Sequence, residues 1–247
     1  MKHTLVIQSH RSPLPFAWLQ SCIDSVQSWA TNSRFDYQWL GDEIFDSVDE
    51  NLLAKTRTQK VIASDLARLK ALQKGLKDGY RQVVWCDADF LIFNPQNFVL
   101  PESTFALGRE VWIQEDKNQK LRAYTKVHNA FMMFSQGNHF LDYYSASAEQ
   151  LLQANQGRMP PQFIGPKLLT ALHNIVACPV METAGMLSPL VIQDLLKRKE
   201  LGDGKALQLF KQKSACFPAA ANLSSSVTAE AGFSESQMRQ LIEVLTL

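Results

Sequence analysis

This sequence of 247 residues contains no long hydrophobic run. A membrane-spanning helix needs ~20 mainly apolar residues, and no stretch of the chain approaches that length. The short apolar run at the N-terminus meets His10 and Arg11 before it reaches the length of a signal-peptide core. We therefore expect a soluble protein without a transmembrane segment.

Cysteine is also scarce. The chain has four, at positions 22, 86, 178 and 216, and they are far apart, without a Cys-x-x-Cys pair that would suggest zinc. Their density is far below that of a disulfide scaffold. This pattern predicts four buried, reduced thiols, which agrees with a cytoplasmic location.

An excess of charge of one sign is the third absence. The 25 basic and 24 acidic residues nearly cancel, so the chain has no overall basic field. Proteins that bind nucleic acid nonspecifically rely on such a field to neutralise phosphates. We therefore expect no nucleic acid partner.

What the sequence does have is an alternation of strand-like and helix-like segments. Apolar, β-branched runs at residues 4–9 and 82–86 predict strands, and the apolar spacing within residues 18–29 and 63–77 predicts helices between them. Such alternation favours a mostly parallel sheet covered by helices. At this length and with 46% hydrophobic residues, we expect one α/β domain over residues 1–247.

The second half of the chain is predicted to extend this sheet. Its patterns indicate a ribbon at 105–107 and 111–114, strands at 130–135 and 175–180, and helices at 140–152, 166–173, 189–199 and 235–245. Residues 219–226 are small and polar, and we expect them to lie outside the core.

Two aspartates stand out at the end of the strand 82–86. Asp87 and Asp89 lie one residue apart at its carboxyl end, where the ligand crevice of an open α/β sheet is found. Residues two apart in an extended segment point the same way, so both carboxylates can face one crevice. Mg²⁺ and Mn²⁺ prefer oxygen ligands, and Mg²⁺ sites often combine one or two carboxylates with substrate phosphates. The pair therefore predicts a divalent cation held against a diphosphate.

The alternative for this pair is a solvated turn, in which the aspartates accept hydrogen bonds from nearby backbone. The apolar residues 90–93 that follow argue against it, because they would bury the surroundings of the pair. Buried carboxylates are costly without a cation or hydrogen-bond donors.

A second candidate group lies on the preceding helix. Asp65 and Arg68 are one turn apart at the edge of its apolar stripe, so they can point into one cleft. At this spacing they could also form an ordinary helix ion pair, which contributes only a few tenths of a kcal/mol.

Together these segments resemble the Asp-x-Asp sugar transferases with a glycosyltransferase A (GT-A) fold, especially the group of capsular-polysaccharide and initiating mannosyltransferases. The resemblance covers about residues 60–175 and keeps the order of the motifs. It extends from the helix and the aspartates to an asparagine-led strand at residues 128–133 and to a Gly-Pro segment that opens a helix at residues 164–170.

The resemblance implies a single GT-A-like, Rossmann-like domain and a transferase that moves a sugar from a nucleotide-diphosphate sugar to a saccharide or other hydroxyl acceptor. It implies that the configuration at the sugar carbon is retained, with Mn²⁺ or Mg²⁺ as cofactor. Asp87 and Asp89 would hold the metal. The sugar and phosphates of the donor would be bound by a set of residues drawn from the helix and the two later motifs: Asp65, Arg68, Asn129, Gly165 and Pro166.

Further metal ligands are expected near the C-terminus. The chain lacks the carboxyl-terminal histidine motif of the glycogenin-like relatives, but Asn222-Leu223-Ser224 resembles the Asn-x-Ser ligand pattern of the toxin-type glucosyltransferases. The resemblance therefore implies that Asn222 and Ser224 complete the metal site. The alternative is an ordinary polar loop.

Two other functions remain open. Haloacid-dehalogenase-like phosphotransferases also carry Asp-x-Asp after a strand, with the first aspartate as nucleophile, but on their first strand. A protein that binds nucleotide sugars or glycans without turnover would keep the same fold. Intact aspartates at positions 87 and 89 argue mildly against this second alternative.

Overall fold

The computed structural model describes residues 2–247, which form a mixed α/β structure built around a six-stranded sheet. The strands are β1 (Lys2–Ser9), β2 (Asp36–Leu40), β3 (Tyr80–Cys86), β4 (Phe90–Ile92), β5 (Phe105–Glu115), β6 (Leu121–Ser135), β7 (Val180–Met181), β8 (Ala184–Met186) and β9 (Ala220–Asn222). The helices are α1 (Leu19–Asn32), α2 (Glu50–Thr56), α3 (Lys60–Lys77), α4 (Phe140–Ala154), α5 (Pro166–Val176), α6 (Pro189–Leu201), α7 (Lys205–Lys213), α8 (Ser225–Glu230) and α9 (Glu235–Thr246).

The central sheet has the strand order β2-β1-β3-β6-β5-β7. Its strands share one direction except β6, which is antiparallel to both of its neighbours, β3 and β5. The predicted mostly parallel sheet is therefore confirmed. The inner strands β1 and β3 each contain a short apolar run, residues 5–7 and 83–86, whose side chains alternate between the two helix-covered faces of the sheet.

Apolar side chains form three clusters around this sheet. One lies between the sheet and helices α3, α4 and α5, and includes Leu72 and Phe134. A second lies on the opposite face, where α1 packs through Val26 and Trp29. The third lies where β5 ends and β6 begins, around Val111 and Ile113, and packs against α6, α7 and α9.

Strands β5 and β6 form a long ribbon that continues past the carboxyl end of β3. The last registered pair between β3 and β6 is Cys86 with Phe131, whereas β5 and β6 stay paired as far as Glu115 and Leu121. The predicted pieces at 105–107 and 111–114 are thus one strand, irregular between Leu107 and Gly108. A side chain at Gly108 would overlap the His128 imidazole, so the ribbon requires a glycine there.

A second, three-stranded sheet has the order β4-β9-β8 and adjoins the aspartate segment. It corrects the prediction for residues 219–226, because Ala219, Ala220 and Ala221 are fully or almost fully buried. Alanine and asparagine have little strand propensity, but β9 pairs with β4 on one side and β8 on the other. Tertiary pairing therefore outweighs local preference here.

Two further predictions were wrong. The strand predicted at 175–180 is limited to β7, because Ile175 and Val176 end α5 and lie exposed, at 78% and 53% of their full accessibility. Cys216 is also exposed, whereas the other three cysteines are buried. In the described part of the chain, residues 2–247, no helix is long and apolar enough to cross a membrane.

Candidate active site

Asp87 and Asp89 lie where the chain leaves the central sheet and enters the smaller one. Asp87 follows the last residue of β3, and Asp89 precedes the first residue of β4. The backbone N–H of Asp87 donates to the Ala130 carbonyl at 2.9 Å, and the Gln8 side chain donates to the Asp87 carbonyl at 3.0 Å. These contacts fix the segment at the carboxyl edge of the sheet.

The Asp87 carboxylate makes one hydrogen bond and one ion pair, both on a single oxygen. Its Oδ1 lies 2.6 Å from the indole nitrogen of Trp85 and 3.0 Å from a guanidinium nitrogen of Arg68. Within residues 2–247, Oδ2 has no such partner, and the side chain keeps 24% of its accessibility. One oxygen of Asp87 is thus held by the protein, and the other remains available to a ligand.

Asp89 is held from the opposite side by the chain around β9. Its Oδ1 accepts from the Asn222 amide at 2.6 Å, and its Oδ2 accepts from the backbone N–H of Ser225 at 2.8 Å. Burial raises the pKa of Asp89, and the neighbouring charge of Asp87 raises it further, while the hydrogen bonds from Ser225 and Asn222 lower it. A cation beside the pair would relieve both effects that disfavour the ionised form.

Arg68 connects the helix α3 to the aspartates. It lies 3.0 Å from the Asp87 carboxylate, donates to the Asn129 carbonyl at 3.0 Å, and contacts Asp65 at 3.4 Å. Burial acts to lower the pKa of Arg68, but the charges of Asp87 and Asp65 outweigh it and raise the pKa above its ordinary value. The ion pair expected from sequence spacing exists, but it is buried and joined to Asp87 rather than exposed on a helix surface.

Asp65 is buried with one oxygen satisfied and one not. Its Oδ1 accepts from the Asn129 amide at 2.9 Å, whereas Oδ2 is buried without a hydrogen-bond partner among the described residues. Burial raises the pKa of Asp65, which Arg68 and the hydrogen bond from Asn129 partly offset. The unpaired oxygen is an unmet hydrogen-bond acceptor at the centre of the site.

Gly165 covers this unpaired oxygen. A Cβ at that position would lie 2.5 Å from Oδ2 of Asp65, so only glycine lets the start of α5 approach so closely. Pro166 occupies the first turn of α5, where its missing N–H has no helical partner to lose. The Tyr144 hydroxyl donates to the Ile164 carbonyl at 2.9 Å and ties this segment to α4.

Asn222 and Ser224 form a tight turn beside Asp89. The Asn222 amide oxygen accepts from the backbone N–H of Ser224 at 2.7 Å, and Ser224 has a left-handed backbone, with φ 52°. This turn directs the next N–H, that of Ser225, at Asp89. In this arrangement the Asn222 side chain orients Asp89, and its role as a metal ligand remains a prediction.

Sequence reasoning missed Trp85 and Ser225. Trp85 lies on β3 two residues before Asp87, so side-chain alternation continued past the end of the strand could have found it. Ser225 acts through its backbone N–H, which leaves no signal in the residue type.

The donor set suits a divalent cation that is completed by a substrate. Among residues 2–247, there is no group of three or more His, Cys, Asp or Glu side chains placed to hold a metal ion. A metal at the aspartates would therefore need ligands from elsewhere. The free oxygen of Asp87 and the carboxylate of Asp89 supply hard oxygen donors, which fit Mg²⁺ or Mn²⁺ bound together with phosphates. The residues present therefore fit the expected cofactor.

No protein-family model matches this chain, and no curated protein sequence matches it. Among solved structures, a glycosyltransferase involved in glycosylation of the major capsid of PBCV-1 superposes with a TM-score of 0.50 at 10% identity, over 97% of this chain and 98% of that one. The galactosyltransferase LgtC, solved with donor and acceptor sugar analogues, gives 0.46 at 13% identity, over 98% and 96% of the two chains. The glycosyltransferase GlyE of Streptococcus pneumoniae TIGR4 gives 0.39 at 10% identity, over 99% and 62%. The first of these similarities confirms the expected GT-A type of fold.

Proposed function

We propose that this protein is a glycosyltransferase that moves a sugar from a nucleotide-diphosphate sugar to a hydroxyl acceptor and depends on Mn²⁺ or Mg²⁺. The observation that carries the proposal is the position of Asp87 and Asp89. Both lie at the carboxyl end of β3. One oxygen of Asp87 is free, and the other, Oδ1, lies 3.0 Å from the buried guanidinium of Arg68. The GT-A fold supports this assignment, since a cleft at this edge is where such a sheet binds ligands.

The donor diphosphate would lie against the two aspartates. A divalent cation bound there supplies positive charge that stabilises the departing diphosphate. Asp87 would hold that cation through its free oxygen, and Asp89 would do so while Asn222 and Ser225 keep its carboxylate fixed. Asn222 and Ser224 remain candidates for further contact with the metal.

The donor sugar would be recognised by Asp65, Arg68 and Asn129. The unpaired oxygen of Asp65 can accept a hydrogen bond from a sugar hydroxyl, which would satisfy it. Because Gly165 covers this oxygen, we propose that the start of α5, with Gly165 and Pro166, moves outward when the donor binds. Arg68 would contribute its charge to the donor phosphates. We retain the expectation that configuration at the sugar carbon is preserved.

Donor hydrolysis tests this function without knowledge of the acceptor, because water can replace it. A panel of nucleotide sugars is incubated with Mn²⁺ and the released nucleoside diphosphate is measured. We expect at least one donor to be hydrolysed, and we expect Asp87→Asn and Asp89→Asn to lower that rate by about 100-fold or more. Asp46→Asn, which changes an exposed aspartate, is the matched control and should leave the rate unchanged.

The same experiment separates the alternatives. Mn²⁺-dependent binding of a nucleotide sugar without any hydrolysis or transfer would favour a binding protein. Release of phosphate from phosphate esters, lost in Asp87→Asn, would favour a phosphotransferase. That last outcome is disfavoured by the chain order, since Asp87 follows β3 rather than the first strand.

A further inference from the structure

Trp85 lies on β3 of the central sheet, and its indole contacts two charged groups of the site, Asp87 and Arg68. It is buried, at 3% of its full accessibility, and its neighbours in the sheet are Ile7 on β1 and Met132 on β6. Residues two apart on a strand share a face, so the indole of Trp85 and the carboxylate of Asp87 lie side by side. The surroundings of Trp85 are otherwise those of a core residue.

The indole contacts both Asp87 and Arg68. Its N–H donates to Oδ1 of Asp87 at 2.6 Å, and the Arg68 guanidinium carbon lies 5.2 Å from the centre of its ring. Arg68 also reaches the same Oδ1, at 3.0 Å. The hydrogen bond and the ion pair therefore fall on one oxygen, and the ring supports the arginine that makes the ion pair.

We propose that Trp85 is a positioning residue that fixes Asp87 so that only Oδ2 faces the crevice, and that Asp87 therefore binds its divalent cation through one oxygen. This inference rests on the proposed function of the same site. A carboxylate free to rotate could offer either oxygen or both, whereas the indole N–H and the guanidinium on Oδ1 favour a single orientation. Partners that orient a metal ligand in this way commonly affect metal affinity by about 10- to 100-fold.

The chain offers a matched pair of variants to test this role. Trp85→Phe keeps an aromatic ring below Arg68 but removes the N–H that holds Asp87. Trp29→Phe removes a comparable buried indole hydrogen bond, from Trp29 to the Phe98 carbonyl at 3.1 Å, on the α1 side of the sheet. Both variants lose one indole hydrogen bond from a buried tryptophan, but only the first loses a contact to Asp87.

The first measurement is Mn²⁺ affinity, titrated calorimetrically with the metal alone and together with uridine or guanosine diphosphate. We expect Trp85→Phe to bind Mn²⁺ about 10- to 100-fold more weakly than wild type and Trp29→Phe to match wild type. In donor hydrolysis, the Mn²⁺ concentration for half-maximal rate should rise in Trp85→Phe, with much of the rate restored at saturating Mn²⁺. A purely structural role would lower the stability of both variants without changing this metal requirement.

The second measurement needs no metal. The five tryptophans give separate indole N–H signals in a ¹⁵N-labelled protein, and the signal missing in Trp85→Phe identifies Trp85. We expect that signal to move strongly in Asp87→Asn, because its acceptor loses its charge, while the Trp29 signal stays in place. If Trp85→Phe does not fold, the wild-type signal is assigned through its own ring protons and compared with Asp87→Asn in the same way.

Two results would overturn the positioning role and leave the proposed function intact. One is equal Mn²⁺ affinity in the two phenylalanine variants, and the other is a Trp85 indole signal that does not shift in Asp87→Asn. If wild type binds no divalent cation even with a nucleoside diphosphate present, the proposed function fails, and this inference fails with it. The two failures are therefore distinguishable by whether wild type binds Mn²⁺.

Discussion

At the scale of single residues, the site holds several polar groups in positions that cost stability. Asp65 keeps an oxygen buried without a donor, and Nε of Arg68 is likewise buried and unpaired among the described residues. An unsatisfied buried polar atom typically costs about 1–3 kcal/mol. Such groups are uncommon in native cores and concentrate where a ligand completes them. Two of the five such atoms among the described residues thus belong to side chains next to Asp87, which supports the location of the proposed site.

His128 is another buried polar residue, but its role is structural. Its Nδ1 accepts from the Ala130 N–H at 3.1 Å, so its Nε2 carries the proton and donates to the Ala184 carbonyl at 3.2 Å. Burial lowers the pKa of His128 to about 4, despite the hydrogen bond to Ala184. The imidazole is therefore neutral at pH 7 and joins the long ribbon to the smaller sheet.

This lowered pKa predicts sensitivity to acid. The folded protein binds the His128 proton more weakly than the unfolded chain, whose histidines titrate near pH 6.5. The neutral ring thus contributes stability that is present above about pH 6.5 and is lost as the pH falls toward 4. We measure the free energy of unfolding in urea at pH 7 and at pH 4.5. Between these pH values, we expect the free energy of unfolding of wild type to fall by on the order of 2 kcal/mol more than that of His128→Gln. A difference between the two proteins that is independent of pH would contradict a buried neutral imidazole.

At the scale of elements, the site is assembled from the ends of segments that are far apart in the chain. Asp87 follows the last residue of β3, the helix α3 supplies Asp65 and Arg68, and the start of α5 packs against Asp65. Regular elements hold side chains more rigidly than loops do, which favours a fixed geometry. The start of α5 differs from these elements, because it packs closely against Asp65 without a hydrogen bond to it.

The close approach of α5 gives a specific prediction for Gly165→Ala. The added methyl group would lie 2.5 Å from the Asp65 carboxylate, so either α5 or Asp65 must shift. We expect a loss of about 1–3 kcal/mol in the free energy of unfolding, and slower donor hydrolysis because Asp65 is displaced. Lys167→Ala, at an exposed position two residues along, is the control and should change neither. Equal stability of the two variants in chemical denaturation would show that α5 does not pack on Asp65 as described.

At the scale of the whole molecule, we propose that the chain forms a single domain. The three apolar clusters adjoin one another through the central sheet, whose strand β6 contributes Phe134 to one cluster and Phe131 to another. The third cluster shares β5 and α1 with this framework. Shared strands make it difficult for one cluster to unfold while its neighbour stays intact.

A single domain should unfold in one cooperative step. We expect circular dichroism and tryptophan fluorescence to report the same urea midpoint in wild type. Leu72→Ala in the first cluster and Leu207→Ala in the third should each cost about 2–5 kcal/mol and move that one transition. Two separate transitions, of which Leu207→Ala moves only one, would instead show that the C-terminal helices unfold independently.

The sequence by itself determined the features that depend on local spacing. The apolar run before Asp87 and Asp89 determines that both lie at a strand end, and the spacing of Asp65 and Arg68 places them on one side of a helix. The alternation of strands and helices determines the α/β class. Each of these follows from the periods of helix and strand, which a short window of sequence contains.

The resemblance placed Asn222 at the metal site, but only the tertiary structure decided how this distant segment holds Asp89. Asn222 and Ser225 lie more than 130 residues from Asp89, and they reach it because an alanine-rich segment pairs as β9 between β4 and β8. Conversely, Ile175 and Val176 are apolar and were predicted to form a strand, but they lie exposed at the end of α5. Strand pairing and burial depend on contacts between parts of the chain that no local pattern connects, so the partners of Asp89, and the oxygen of Asp87 that remains free, were decided by the fold.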